Sequence, residues 1–236
     1  MQGKNSGKKA RKGTAQDESP REQRRKLPPL AAKNESQGNL MTLIDSRDIV
    51  FSVGPAGTGK TYISSTMAAE RLLNRTIEKV IITRPMLACD EDIGFLPGDE
   101  NDKYHPWVSP MIDVLDKRLG SGFLKYLLDN KAIRAQPLMM MRGSSFEDSV
   151  VILDEAQNTT PEQMKMFLTR IGENCTMIIN GDLEQSDLKD RDGNHRRNGL
   201  EDALFRIRHL SRVGVAEFTE DDIVRHGIIK QILAQY

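Results

Sequence analysis

The sequence predicts an α/β domain built on a mainly parallel sheet with helices on both faces. Three observations carry this. Short, continuously apolar runs of strand length recur along the chain, helix-length segments separate them, and 236 residues suffice for one sizeable core. A strand buried on both faces reads as an unbroken aliphatic run, and strands alternating with helical segments indicate crossover units.

The chain starts with a basic stretch. Residues 1–26 hold nine Lys/Arg against Asp17, Glu18 and Glu22, so this stretch carries +6 and the remainder −6 of a formal net charge of zero. So polar a segment buries too little apolar surface to offset its ordering entropy, and it is expected to be disordered. It is either a solubilising tail or an electrostatic arm for nucleic acid. Leu27-Pro28-Pro29-Leu30 then reads as a stiff, extended junction, which divides residues 1–29 as tail from 30–236 as domain.

Within the domain, Ile49–Val53, Val80–Thr83, Val150–Leu153 and Met177–Ile179 are buried-strand patterns, and Val213–Phe218 is a weaker fifth. Asp90 to Gly122, rich in Gly, Pro and acids and carrying Tyr104, Pro106, Trp107 and Pro110, reads as an insertion between sheet elements. Thr160 followed by Pro161 and Gln163 is a capping-box start, with Met164, Phe167, Leu168 and Ile171 as the apolar face behind it. Met139-Met140-Met141 is expected to pack as strand. Thr219 precedes a predicted final helix whose Ile223, Ile229 and Leu233 face inward.

The strongest chemical signal is GPAGTGKT, residues Gly54, Pro55, Ala56, Gly57, Thr58, Gly59, Lys60 and Thr61. It fits G-x-x-x-x-G-K-[ST] between a strand pattern and a helix pattern. The glycines permit backbone turns that aim successive N–H groups at phosphate oxygens, and the helix start adds its positive end. Lys60 is placed to reach the outer phosphates of ATP and Thr61 to offer its hydroxyl to magnesium. The second signal is VVILDEAQN, Val150 to Asn158. Asp154 follows a buried strand, at the edge where ligands of α/β sheets bind. There it would hold Mg²⁺ through the ion's water shell, and Glu155 would polarise an attacking water. The third is Ile178-Ile179-Asn180-Gly181-Asp182 with Gln185 three residues on. A polar residue at that strand end can sense the γ-phosphate, and Gln185 is the candidate.

Long strings carry a resemblance: GPAGTGKTY, TRPMLACDEDIGFLPGD, MRGSSFEDSVVILDEAQNTTPEQMKMFLTRIG, GDLEQSDL and DIVRH. Over roughly Leu30 to Tyr236 the chain resembles the PhoH-like ATPases, related to the superfamily 1 helicase core. The resemblance implies a RecA-like fold, ATP hydrolysis with Mg²⁺ and assembly into a homo-oligomeric, hexameric ring. It also implies that Gln37, seventeen positions before Gly54, reads adenine. The chain departs from the family pattern at Ser144, where a second basic residue usually follows Met141-Arg142-Gly143, and in the longer, more polar stretch 186–199. Among Arg84, Arg142, Arg170 and Arg225, the last is the candidate to reach the γ-phosphate of a neighbouring subunit.

Basic residues gather again at Lys189, Arg191, His195, Arg196 and Arg197, either as a solvated charge run or as a loop touching RNA or single-stranded DNA. Two function classes stay open: a helicase-like nucleic-acid motor, and a nucleotide-driven regulatory assembly acting on protein partners. No apolar run approaches the roughly 18 residues of a membrane span, and no secretory signal is expected. Cys89 and Cys175 show no zinc or disulfide spacing, which fits a reducing, cytoplasmic setting. His105 and His195 show no metal spacing.

Overall fold

The computed structural model describes residues 27–86, 104–186 and 197–224. Among these, six strands form one sheet: β1 (Ile49–Val53), β2 (Lys79–Thr83), β3 (Ile133–Ala135), β4 (Ser149–Leu153), β5 (Cys175–Gly181) and β6 (Val213–Glu217). Their spatial order is β3-β2-β4-β5-β1-β6, with every pairing parallel. Helices α1 (Glu35–Ser46), α2 (Lys60–Leu73), α3 (Ser109–Leu119), α4 (Ser121–Asp129), α5 (Pro161–Leu168) and α6 (Gly199–Ile207) cover it.

Alternation along the strands builds two cores. Val50, Ile82, Ile152 and Ile178 point to one face, where they meet Leu40 and Ile44 of α1, Ile63 and Met67 of α2, and Leu115 of α3. Phe51, Leu153 and Ile179 point to the other, against Met164 and Phe167 of α5 and Leu200 of α6. The register joins like with like: Val50 lies beside Ile178, Ile178 beside Ile152, and Ile152 beside Ile82. A slip of one residue would exchange the two faces, but both are apolar, so pattern alone does not fix the register. The helix contacts on each side do. The architecture is the expected RecA-like α/β fold.

Five strands fall where the apolar runs place them. β3 is an additional edge strand, too short and too polar at Arg134 to announce itself. The described half of the 90–122 stretch is not an excursion from the fold. Val108, Met111, Ile112, Leu115 and Leu119 are buried at helical spacing, and Pro110 is accommodated in the first turn of α3. The capping box forms at α5 as expected. Met164 and Phe167 are buried behind it, with Leu168 and Ile171 partly so. One expectation is corrected. Leu138–Met141 is a 3₁₀ turn, not a strand, and only Met141 of the three methionines is buried, Met139 and Met140 being exposed. The segment after Thr219 begins as a 3₁₀ turn, Glu220–Asp222, closed by a reciprocal Thr219–Asp222 box. Its Ile223 is buried, while Ile229 and Leu233 lie outside the described residues. No helix among those described is long and apolar enough to cross a membrane.

Because all strands are parallel, their C-terminal ends share one edge. Gly54, Arg84, Asp154 and Asp182 emerge there, and β5 separates the strand that feeds the glycine loop from the strand that feeds Asp154.

Candidate nucleotide-binding site

The loop from Gly54 to Thr61 owes its shape to three glycines at positive φ: Gly54 (136°), Gly57 (88°) and Gly59 (95°). At Gly54 a Cβ would stand 2.2 Å from the Phe218 carbonyl oxygen, so no other residue fits. Gly59 is the left-handed cap from which α2 starts, which leaves the first N–H groups of that helix available to an anion. Thr58 is buried and its hydroxyl donates to Pro55 O (3.1 Å). From outside, the loop is braced at Gly54 N–H to Gly181 O (3.1 Å) and at Val224 N–H to Gly57 O (3.1 Å).

Lys60, Thr61, Asp154, Glu155 and Gln185 line one cavity of ≈ 360 Å³ with Ala56, Gly57 and Gly59. Tyr62, Arg84, Pro110, Gly181 and Asp182 complete its wall. The Lys60 ammonium donates to Gly54 O (2.5 Å) and Pro55 O (2.8 Å). The Thr61 hydroxyl donates to Asp154 Oδ1 (2.9 Å), and Asn180 Nδ2 donates to the same oxygen (3.2 Å). Asn180 is itself held by the Ser64 hydroxyl (3.0 Å). Burial pushes the Asp154 carboxyl above its usual range. The neighbouring Glu155 charge adds to this, and the Thr61 and Asn180 hydrogen bonds and the Arg84 charge oppose it. A hydroxyl and a carboxylate converging beside a phosphate-binding loop are the donor set that suits Mg²⁺, which takes few protein ligands and completes its shell with phosphate and water.

Glu155 sits in the left-handed region (φ 53°) at the start of the 3₁₀ turn Ala156–Asn158, a conformation that costs a non-glycine residue of order 1–3 kcal/mol and concentrates at functional sites. Its carboxylate accepts from Gln157 Nε2 (2.6 Å). The other end of the same buried amide, Gln157 Oε1, accepts from Asp182 N–H (3.1 Å). Gln157 thus ties Glu155 to the end of β5. It stands inside the DEAQN string, but nothing short of the fold shows its role. The role of Asn180 likewise emerges only from the fold, which sets its amide against Asp154.

The structure brings Gln37 against the loop rather than into the cavity wall. Its amide donates to Thr58 O (2.9 Å) and accepts from Lys33 N–H (2.9 Å), bracing the back of the loop from α1. Of the three described arginines, Arg84, Arg142 and Arg170, Arg84 alone lines the cavity. Arg142 is exposed, and Arg170 reaches toward Ser144 O (3.5 Å). Arg225 and His226 lie outside the described residues, as do Lys189, Arg191, His195, Arg196 and Cys89. A larger depression of ≈ 1090 Å³ opens at the opposite ends of the strands. Two of its three arginines pair with its own acids, Arg71 with Asp45 (3.1 Å) and Arg212 with Asp48, while Arg47 donates to Ser46 O (3.2 Å), and it holds none of the P-loop residues.

The fold and this loop define a P-loop nucleotide-binding protein. The family model described as "PhoH-like protein" matches residues 29–236, and the chain belongs to that family. It is 45% identical over 210 residues to "Protein PhoH" of Escherichia coli (strain K12), covering 88% of this chain and 58% of that protein. It is 40% identical over 207 residues to a PhoH-like protein of Bacillus subtilis (strain 168), covering 88% and 64% respectively. The chain therefore spans about three fifths of the length of these curated relatives. Among solved structures, the large terminase from a thermophilic bacteriophage overlaps 85% of this chain and 49% of its own, with a TM-score of 0.48 and 10% identity.

Proposed function

We propose that the chain hydrolyses ATP with Mg²⁺ and does so as part of a ring that acts on RNA or single-stranded DNA. The observation that carries the hydrolytic reading is the convergence of Thr61, Asp154 and Glu155 on the wall of the P-loop cavity, with Glu155 held by Gln157. The magnesium ion would be held by Thr61 and Asp154 and would neutralise charge on the outer phosphates. Lys60 binds and orients those phosphates, Glu155 accepts the proton of the attacking water, and Gln185 follows the γ-phosphate. For Gln37 to read adenine, it would exchange its present bonds to Thr58 and Lys33.

The ring is what the family resemblance implies, and in it a neighbouring subunit would close the outer side of the nucleotide. Arg225 follows Val224, which is bonded to the P-loop of its own chain. Its proposed action across the subunit interface has a direct test. Lys60→Ala subunits, inactive themselves, should partly restore turnover to Arg225→Ala subunits when mixed. Activity equal to the sum of the separate proteins, with subunit exchange verified by a labelled partner, would reject a trans role.

The nucleic-acid reading is supported where the basic loop re-enters the described residues. Arg197 lies over the ring of Phe205, 4.7 Å from its centroid, and Phe205 is 75% exposed. An exposed aromatic ring paired with a guanidinium is the kind of surface on which bases stack. The deciding experiment is ATP turnover with and without RNA and single-stranded DNA, paired with neutralisation of Arg191, Arg196 and Arg197. Stimulation by either polymer is expected, and the triple variant should bind it more weakly with a flatter salt dependence. Unchanged affinity and salt slope would return the loop to a solvated surface and favour the regulatory assembly on protein partners.

A further inference from the structure

We propose that Arg84 is a catalytic residue supplied in cis, a guanidinium that grips the γ-phosphate in the chain's own P-loop cavity. The inference rests on the reading of that cavity as an ATP-hydrolysing site. It begins with register. β2 and β4 are parallel, Thr83 pairs with Leu153, and Asp154 N–H donates to Thr83 O (2.9 Å). The next residue on each strand, Arg84 and Asp154, therefore leaves the sheet beside the other, at the edge where Lys60 and Glu155 also stand. Arg84 and these three share the cavity wall.

The backbone of this one residue is held with unusual care. The Tyr104 hydroxyl, on a side chain with no exposed surface, accepts from Arg84 N–H (2.6 Å) and donates to Arg84 O (2.7 Å). Pro85 follows and restricts Arg84 to extended backbone. Yet the guanidinium makes no hydrogen bond or ion pair with any described residue, although two carboxylates are near. Asp154 is engaged by Thr61 and Asn180, and Glu155 by Gln157. A fixed backbone carrying a planar fork that no described residue hydrogen-bonds, and whose charge is felt at Asp154, is suited to bind an anion bidentately in that cavity. Aimed at the γ-phosphate, it would stabilise charge that grows in the transition state. If Arg84 instead served only to neutralise the acidic pair, its loss would disturb folding and all nucleotides alike.

The test compares the parent, Arg84→Ala and Arg84→Lys for melting temperature, ATP and ADP affinity without turnover, and kcat. Loss of one such donor is worth about 100-fold in kcat. Both variants are expected to keep the parent's melting temperature and ADP affinity. Arg84→Ala should lose the preference for ATP over ADP and fall about 100-fold in kcat, and Arg84→Lys should recover only part, since it keeps the charge without the fork. Mixing Arg84→Ala with Lys60→Ala subunits should give no rescue. Unchanged kcat and ATP preference in a parent that does turn over ATP would overturn the role of Arg84 alone. So would equal losses for ATP and ADP, and rescue on mixing would overturn the cis assignment. A parent that neither binds nor hydrolyses ATP would overturn the site reading and this inference with it.

Discussion

Lys60→Ala is expected to cost the chain most of its nucleotide affinity. The Lys60 ammonium lines the cavity and is held among the loop carbonyls of Gly54 and Pro55, so its charge is concentrated where phosphate oxygens would lie. Hydrogen bonds to charged groups are worth about 1.5–3 kcal/mol each, which corresponds to roughly 10- to 100-fold in affinity. The loop's shape should survive, because it is fixed by three positive-φ glycines and by backbone bonds to Gly181 and Val224. Equilibrium titration with a fluorescent ATP analogue measures the loss, and a melting curve verifies the fold. Affinity within twofold of the parent would mean that the loop does not bind phosphate as assigned.

Glu155→Gln acts on the other half of the site. The amide replaces the carboxylate at equal size and can still accept from Gln157 Nε2, so the strained turn at Glu155 should keep its geometry. Binding should be preserved, because Lys60, Thr61 and Asp154 are untouched. On the proposed reading, the group lost is the one that would take a proton from water, and general-base contributions are typically about 100-fold or more. The expected phenotype is an ATP-retaining chain whose turnover falls by at least about 100-fold. Turnover above half the parent's would show that another residue activates the water.

The two variants draw on the part of the molecule that local sequence specifies well. β1, β2, β4 and β5 were legible because a strand covered on both faces must be apolar throughout, and the P-loop because its glycines and lysine are required at fixed spacing. β3 was not, since three residues around a solvent-facing Arg134 carry no pattern. The stripe from Val108 to Leu119 was masked by Pro106, Pro110 and the nearby glycines, which read as loop until the first turn of α3 is seen to accept a proline. Glu155 could be named from its position after Asp154, but its support could not. Gln157 reaches Glu155 on one side and Asp182 on the other only after β4 and β5 are paired. Arg84 likewise looked like one arginine among four, and only the Thr83–Leu153 register sets it beside Asp154. Gln37 was placed by resemblance, and its bracing of Thr58 depends on how α1 packs behind the loop.

The central claim is that this cavity hydrolyses ATP rather than merely holding it. Single-turnover chemistry tests it most directly. Limiting γ-labelled ATP is mixed with excess protein until binding is complete, and the bound nucleotide is then analysed with Mg²⁺ or with a chelator present. The parent should convert bound ATP to ADP and free phosphate when Mg²⁺ is present and not under chelation, while Glu155→Gln should return its bound ATP intact over the same period. Intact ATP recovered from the Mg²⁺-loaded parent after complete binding, or equal conversion by parent and Glu155→Gln, would contradict the account.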